Sequence, residues 1–279
     1  MSVSVVIPCF RCSETIARAV DSVAAQTVSV HELILVDDGS DDGTPAALAD
    51  MASRSTVPVS VLTLDANRGP AAARNAGWDA ATGDHVAFLD ADDWWLPGKL
   101  EHQMGWMERH GEVVICGTDR SICSPRANQP AGATQAVFVK RFSVLARNPF
   151  STPTVVVVRG LALRFPATLR CAEDYHLWRT AVLSGCRVAR LDMALTVLGK
   201  AAFGAGGISA DMDAMQRGER ESLEMLRKEG LIRSWEYVAS RCLSELKYAR
   251  RLLSPGLVRS GVSHSGRPER STPPDARGK

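Results

Sequence analysis

Three groups of carboxylates stand out in the 279-residue chain. Asp37 and Asp38 follow the apolar run Leu33 to Val36. Asp90, Asp92 and Asp93 follow Val86 to Leu89, and Glu173 and Asp174 open a segment with helical spacing. Three carboxylates within four residues repel one another unless a cation or hydrogen-bond donors balance them. Asp-x-Asp at Asp90 and Asp92 therefore reads as a site for a hard, oxygen-liganded divalent ion, Mn²⁺ or Mg²⁺, of the kind that also holds substrate phosphates. Asp93, close to the helix expected from Pro97, equally suits a helix cap. Asp37 is placed to accept a ring N–H or a ribose hydroxyl, although Asp-Gly is also a common turn former. Glu173 and Asp174 sit where a helix dipole favours negative charge, which leaves capping and chemistry both open.

These residues must be positioned by the elements around them. Val3 to Ile7, Leu33 to Val36, Val57 to Leu64, Val86 to Leu89 and Val113 to Gly117 read as short buried strands. Helices are expected between them: one along Ile16, Ala19, Val20, Val23 and Ala24 with Ser13 as cap, one capped by Thr44 ahead of Pro45, an alanine-rich one after Asn67-Arg-Gly-Pro70, and one from Pro97 to His110. Strands alternating with helices imply an α/β fold with a mostly parallel central sheet, and ligands in such sheets bind at the carboxyl ends of the strands. Later in the chain Thr154 to Val158 and Arg187 to Leu191 read as strands and Glu173 to Leu183 as a helix. Ser121 to Gln135 and the glycine-rich Gly199 to Gly207 read as loops, the latter mobile. There is no internal repeat.

Composition narrows the function. The chain is 45% hydrophobic and 23% charged, which suits a folded globular protein, and 33 basic residues against 31 acidic leave a net charge of +2. A general electrostatic grip on nucleic acid is excluded at that balance. The charge is uneven, with 14 basic and 8 acidic residues from Gln216 to Lys279 and an acidic excess before them. The seven cysteines are an odd number scattered through apolar runs, so no disulfide framework is expected, and Cys9-x-x-Cys12 lacks the second pair of a zinc site. No glycine-rich dinucleotide fingerprint and no P-loop is present, so phosphate charge must be met by a metal and by cations such as Arg74 or Arg68. The N-terminus has no signal-peptide pattern and no apolar stretch approaches the ~20 residues of a membrane span, so a cytoplasmic location is expected.

Taken together, Val5-Val-Ile-Pro-Cys-Phe10, Val36-Asp-Asp-Gly-Ser-Asp-Asp-Gly-Thr44, Asn67-Arg-Gly-Pro-Ala-Ala-Ala-Arg-Asn-Ala-Gly77, Phe88-Leu-Asp-Ala-Asp-Asp93 and Glu173-Asp174 resemble, in order, the motifs of family 2 glycosyltransferases. The resemblance covers about residues 3 to 198. It implies the GT-A fold and an inverting transfer of sugar from a UDP- or dTDP-sugar to an acceptor hydroxyl, in the synthesis of a bacterial polysaccharide, glycolipid or related glycoconjugate. By the same resemblance Pro8, Phe10 and Asp37 line the nucleoside pocket, Asp90 lies near the ribose, Asp92 ligates the metal on the diphosphate and Asp174 is the general base. Arg74 is expected among the nucleotide-binding residues as a phosphate cation. The chain departs from the family pattern in having Phe10 for the usual tyrosine, Arg11 for the usual asparagine, and no histidine between Leu177 and Arg259. Lys200 or the Gly199 to Gly207 loop is then expected to supply phosphate contacts. His176 reads as a packed histidine, and Trp94 and Trp95 as sugar-stacking or core residues.

The expected organisation is a catalytic domain over 1–215, with a nucleotide-binding half at about 1–118 and an acceptor-binding half at about 119–215. A helical extension over 216–253 and a disordered basic tail over 254–279 follow. Within the extension, apolar residues at 231, 235, 238, 242, 246, 249 and 253 form a narrow stripe among arginines and lysines. Two readings stay open for 231–253: packing on the catalytic domain or a second subunit, as in a homo-oligomer, or peripheral contact with the inner face of a membrane, where a lipid-linked rather than a free sugar acceptor would be met. The competing functions are another metal-dependent nucleotide enzyme, such as a nucleotidyltransferase, and a relative that binds nucleotide without catalysis.

Overall fold

The computed structural model describes residues 1–122, 135–200 and 211–253. The first half alternates as expected: β1 (Val3–Cys9), α1 (Ile16–Ala24), β2 (Glu32–Asp37), α2 (Thr44–Arg54), β3 (Val59–Thr63), α3 (Pro70–Ala80) and β4 (His85–Phe88). After β5 (Trp94–Trp95) and α4 (Lys99–Arg109) come β6 (Val113–Ile122), β7 (Ala136–Phe138), α5 (Arg141–Ala146), β8 (Val155–Val158), α6 (Glu173–Leu183) and β9 (Arg187–Leu198), and the helices α7 (Met212–Lys228) and α8 (Ser234–Leu253) follow.

All strands join one sheet in the order β3-β2-β1-β4-β8-β6-β9-β5, with β7 beside β9. From β3 to β4 every pairing is parallel. At β8 the sheet reverses, since β8 runs antiparallel to both β4 and β6, and parallel pairing returns between β6 and β9. The register of β1, Cys9 opposite Asp37 and Val6 opposite Phe88, brings the ends of β1, β2 and β4 to one edge. The Pro8–Phe10, Asp37–Asp38 and Asp90–Asp93 segments thus share a crevice.

The sheet is buried on both faces, which explains why its strands read as unbroken apolar runs. Ile16, Val20 and Val23 of α1 and Leu100 and Met104 of α4 pack with Val5 and Leu33. On the opposite face Trp78 of α3 and Leu177 and Trp178 of α6 pack with Val6, Phe88 and Phe165. Helix α3 lies so close to β1 that a Cβ on Gly77 would run into Val6.

Several local expectations are corrected. Helix α1 begins after Thr15 rather than Ser13. Thr44 does not cap α2; its Oγ1 accepts a hydrogen bond from Cys12 N at 2.8 Å, and Asp42 Oδ1 takes Thr44 N at 3.0 Å instead. Strand β9 runs to Leu198, paired along its end with Arg120 to Ile122 of β6 and, on its other side, with Trp94 and Trp95, a two-residue strand too short for periodicity to reveal. Most of the two expected loops and the whole expected tail, 123–134, 201–210 and 254–279, lie outside the described residues.

Helix α8 is tied down by polar contacts. Arg141 clasps Glu236 through Nε at 2.7 Å and Nη2 at 2.8 Å, Gln216 Nε2 donates to Ser244 Oγ at 3.1 Å, and Arg220 holds Glu245. Glu236, Ser240 and Ser244 are its buried residues. The expected apolar stripe therefore points to solvent from Trp235 onward, while Leu231 at its start packs against Leu145, Leu223 and Leu226. A small apolar cluster of Leu145, Leu223, Leu226 and Ile232 joins α5, α7 and the turn before α8.

Candidate active site

At the end of β2 the two aspartates divide their tasks. Asp38 accepts Arg68 N and Gly69 N, both at 2.8 Å, and so holds the turn that opens α3. Asp37, also buried, has one bond from Ser40 N to Oδ1 at 3.1 Å, which leaves its second oxygen for a ligand. Pro8 stands opposite Val36 at the end of β1, and Phe10 beyond it is exposed. Arg11 takes a left-handed conformation, φ 48°, and pairs with Asp41 at 2.7 Å.

After β4 the three aspartates separate in the same way. Asp90 Oδ1 accepts from Arg74 Nη2 at 2.8 Å. Asp93 turns inward, where its Oδ1 takes Gly199 N at 2.9 Å, and burial together with Asp90 and Asp92 pushes its carboxyl up to about 8. Asp92 is the outward member, with Oδ2 3.0 Å from Lys200 Nζ and its carbonyl held by Arg18 Nη2 at 2.8 Å. A Cβ on Gly199 would strike that same carbonyl, so the end of β9 is pressed against the aspartate turn.

Among the described residues no cluster of three or more His, Cys, Asp and Glu forms a closed metal cage. The donors present still fit a divalent ion of the Mg²⁺ or Mn²⁺ type, which binds through one or two carboxylates and takes its other oxygens from phosphate and water. Asp92 offers one such carboxylate at the crevice edge, with an ammonium already against it.

Arg74 is buried and its guanidinium is committed at both ends, Nη2 to Asp90 and Nη1 to Glu173 Oε1 at 2.9 Å. It was expected to face a phosphate; the structure instead shows it bridging two carboxylates, which raise its pKa against the burial that opposes it. Next to it, Asn75 clamps the backbone of Phe165 by donating Nδ2 to the carbonyl at 2.7 Å and accepting from the amide at 3.0 Å.

Asp174 opens α6 beyond Ala172, a non-glycine residue held at φ 60°. Its Oδ1 accepts Tyr175 N at 2.6 Å, and its Oδ2 accepts Asn148 Nδ2 at 3.3 Å and Thr152 Oγ1 at 3.4 Å. Burial raises its pKa and the nearby Asp90 adds to the rise, while Arg74 and the hydrogen bonds oppose it. A carboxylate raised toward neutrality yet held in one orientation has the properties of a general base. Glu173 points to Arg74, so the adjacent acids face different partners as their neighbouring positions require. His176 is a packed histidine as expected: buried, 3.2 Å from Ser222 Oγ, and lowered by burial to about 4. Trp95 is a core residue, with Nε1 donating to Pro153 O at 2.7 Å, whereas Trp94 lies under the Arg18 guanidinium at 3.9 Å.

Asn148, Thr152 and Arg18 carried no motif and were missed. Arg120 on β6 was also missed, although it feels Asp174 and Asp93 electrostatically. The sheet order, which sets β6 and β8 beside β4, brings Asn148, Thr152 and Arg120 near the crevice, whereas Arg18 reaches Asp92 from α1.

Residues 4–167 match the model of glycosyl transferase family 2. The chain belongs to that family. Among its curated relatives, the amylovoran biosynthesis glycosyltransferase AmsB of Erwinia amylovora is 38% identical over 191 residues, 63% of this chain and 62% of the relative. The Escherichia coli protein WfgD, named as a UDP-Glc:α-D-GlcNAc-diphosphoundecaprenol β-1,3-glucosyltransferase, is 32% identical over 177 residues, 63% of this chain and 68% of the relative. Other relatives are longer, and the chain spans 57% of the succinoglycan biosynthesis protein ExoO of Rhizobium meliloti. In fold it is similar to S. aureus TarS 1-349 in complex with UDP-GlcNAc, with a TM-score of 0.67 at 21% identity over 91% of this chain and 73% of that one. It is equally similar to the Pyrobaculum calidifontis mannosyltransferase PcManGT in complex with GDP-Man and Mn2+, with a TM-score of 0.67 at 18% identity over 95% and 76%. The family 2 fold expected from the motif order is thus present, as a GT-A α/β sheet with C-terminal helices.

Proposed function

We propose that the protein transfers a sugar from a UDP- or dTDP-sugar to an acceptor hydroxyl with inversion, and that Asp174 is the general base. The observation that carries this reading is the Asp174 carboxylate, raised in pKa by burial, fixed by Asn148, Thr152 and Tyr175 N, and lying one arginine away from the donor-side Asp90. Relatives named for polysaccharide biosynthesis and a neighbour holding UDP-GlcNAc support the donor and product class. The name of WfgD supports a lipid diphosphate-linked sugar as acceptor.

In this reading Pro8 and Phe10 flank the base and the free oxygen of Asp37 accepts its ring N–H. Asp90, steadied by Arg74, accepts a ribose hydroxyl. A divalent ion held by Asp92 would offset the charge that develops on the departing diphosphate, and the Mn2+ in the PcManGT complex supports that choice of cofactor. Lys200, paired with Asp92 in this structure, would be within reach of the diphosphate. Asp174 Oδ removes the proton of the acceptor hydroxyl as that oxygen attacks the anomeric carbon from the face opposite the leaving group. Arg74 acts here as a positioning residue.

The test is a donor-consumption assay combined with calorimetry on UDP. Asp174→Asn should lose turnover while still binding UDP with Mn²⁺. Turnover near the wild-type rate would overturn the base assignment. No observation favours the nucleotidyltransferase reading, since Arg11, the cation of the first strand-to-helix turn, is occupied by Asp41.

A further inference from the structure

Helix α8 turns its apolar side away from the protein. Trp235, Val238, Leu246 and Leu253 are 55%, 56%, 68% and 83% exposed. Cys242 and Ala249, between them on the same stripe, are exposed as well. The apolar surface continues onto α5, where Phe142, 67% exposed, has its ring centroid 6.3 Å from that of Trp235. The inner side of α8 is instead polar: Glu236, Ser240 and Ser244 face α5 and α7. A helix at the edge of a water-soluble domain normally packs its apolar stripe and exposes its polar face. Here the arrangement is reversed, and a contiguous apolar surface of this kind marks an interaction site.

Charge identifies what covers it. The exposed charges along the helix are cationic, at Arg233 and Arg250. Its two acids are engaged, Glu236 with Arg141 and Glu245 with Arg220. The chain after Leu253 adds five basic residues against two acidic. Two copies joined through this face would bring like charges together, whereas an anionic bilayer surface would attract them.

We propose that α8 is a membrane-surface helix that lies in the headgroup layer of an anionic bilayer, with Trp235, Val238, Leu246, Leu253 and Phe142 immersed and Arg233 and Arg250 at the lipid phosphates. Because α8 packs on α7, and α7 on α6, whose first turn carries Asp174, such docking holds that carboxylate at a set height above the lipid. The surface does not depend on the proposed reaction, and its test needs no turnover.

The full chain is floated with vesicles of phosphatidylcholine alone and of phosphatidylcholine mixed with phosphatidylglycerol. It should rise with the mixed vesicles, remain in solution with phosphatidylcholine alone, and release as salt is raised. Val238→Glu combined with Leu246→Glu should lower the bound fraction at least about tenfold, and the single Leu246→Gln should lower it less. Both side chains point to solvent, so the melting temperature should not move, and a variant that melts with the wild type has kept its fold. Arg233→Glu combined with Arg250→Glu should abolish the preference for anionic lipid. The proposal is overturned if the wild-type chain stays in solution with every vesicle or if the Val238 and Leu246 variants float as well as it does. It is equally overturned if sedimentation shows a dimer that those substitutions split while no form floats, since a second copy would then cover the stripe.

Discussion

Arg74 and Glu173 are joined by a 2.9 Å bond from Nη1 to Oε1 across 99 residues of chain. The same guanidinium holds Asp90 with its other nitrogen, so one buried cation ties the end of β4 to the start of α6. The turn that carries Asp90 and the start of the helix that carries Asp174 are therefore held to one another.

Removing that cation should cost stability as well as activity. Arg74→Met strands two carboxylates, one of them buried, and breaking such a buried pair costs about 3–5 kcal/mol. Urea denaturation should show a correspondingly lower midpoint with unchanged slope. Arg74→Lys should recover only part of the loss, because a single ammonium cannot reproduce the guanidinium fork. An Arg74→Met protein as stable as the wild type would mean that the bridge contributes nothing.

Asp174→Asn should lower kcat by about 10²–10⁴-fold and leave UDP affinity unchanged. Asn148→Ala gives a finer measure. The Asn148 hydrogen bond helps to hold the Asp174 pKa down against burial, so its loss raises that pKa further. A base works only when deprotonated, so the acid limb of the kcat profile should move to higher pH in Asn148→Ala. A shift to lower pH, or none, would remove Asn148 from this role.

Asp92→Ala should weaken activation by metal far more than binding of the nucleoside. In an Mn²⁺ titration of turnover the midpoint should rise by about tenfold or more, whereas uridine binding without metal should stay as in the wild type. Equal losses of both would place Asp92 in the nucleoside pocket instead.

Lys99 gives a prediction about stability alone. Its side chain is fully buried, Nζ lies 4.0 Å over the Trp95 ring without a hydrogen-bond partner, and burial lowers its pKa from 10.5 to about 7. Between those values the unfolded chain holds a proton that the native protein has released, so native stability should rise with pH from about 7 to 10.5. Lys99→Met should flatten that rise and increase the melting temperature at neutral pH, because it removes a buried amine and keeps the stem's packing. A lower melting temperature would show that the amine is better accommodated than its surroundings indicate.

The acidic strand ends were legible in the sequence. Buried strands announce themselves by unbroken apolar runs, and Asp37, Asp90 and Asp92 stand at the strand ends where an α/β sheet presents its ligands. Five short motifs in order carried the family. Asp93 showed the limit: sequence allowed it to be a metal ligand or a cap, and it proved to be an inward anchor for Gly199. The roles of Asp37 and Asp38 separated only when the turn at Arg68 and Gly69 came into contact with one of them.

Local sequence by itself determined the α/β alternation, the parallel half of the sheet and the acids at its edge, because period and turn chemistry act over a few residues. Tertiary structure alone decided that Arg74 bridges Asp90 and Glu173, that Asn148 and Thr152 orient Asp174, and that α8 turns its apolar stripe outward. Each of these depends on what lies opposite a side chain. Periodicity can show that a helix has an apolar face, but only the packing of the distant segments decides whether that face meets the core.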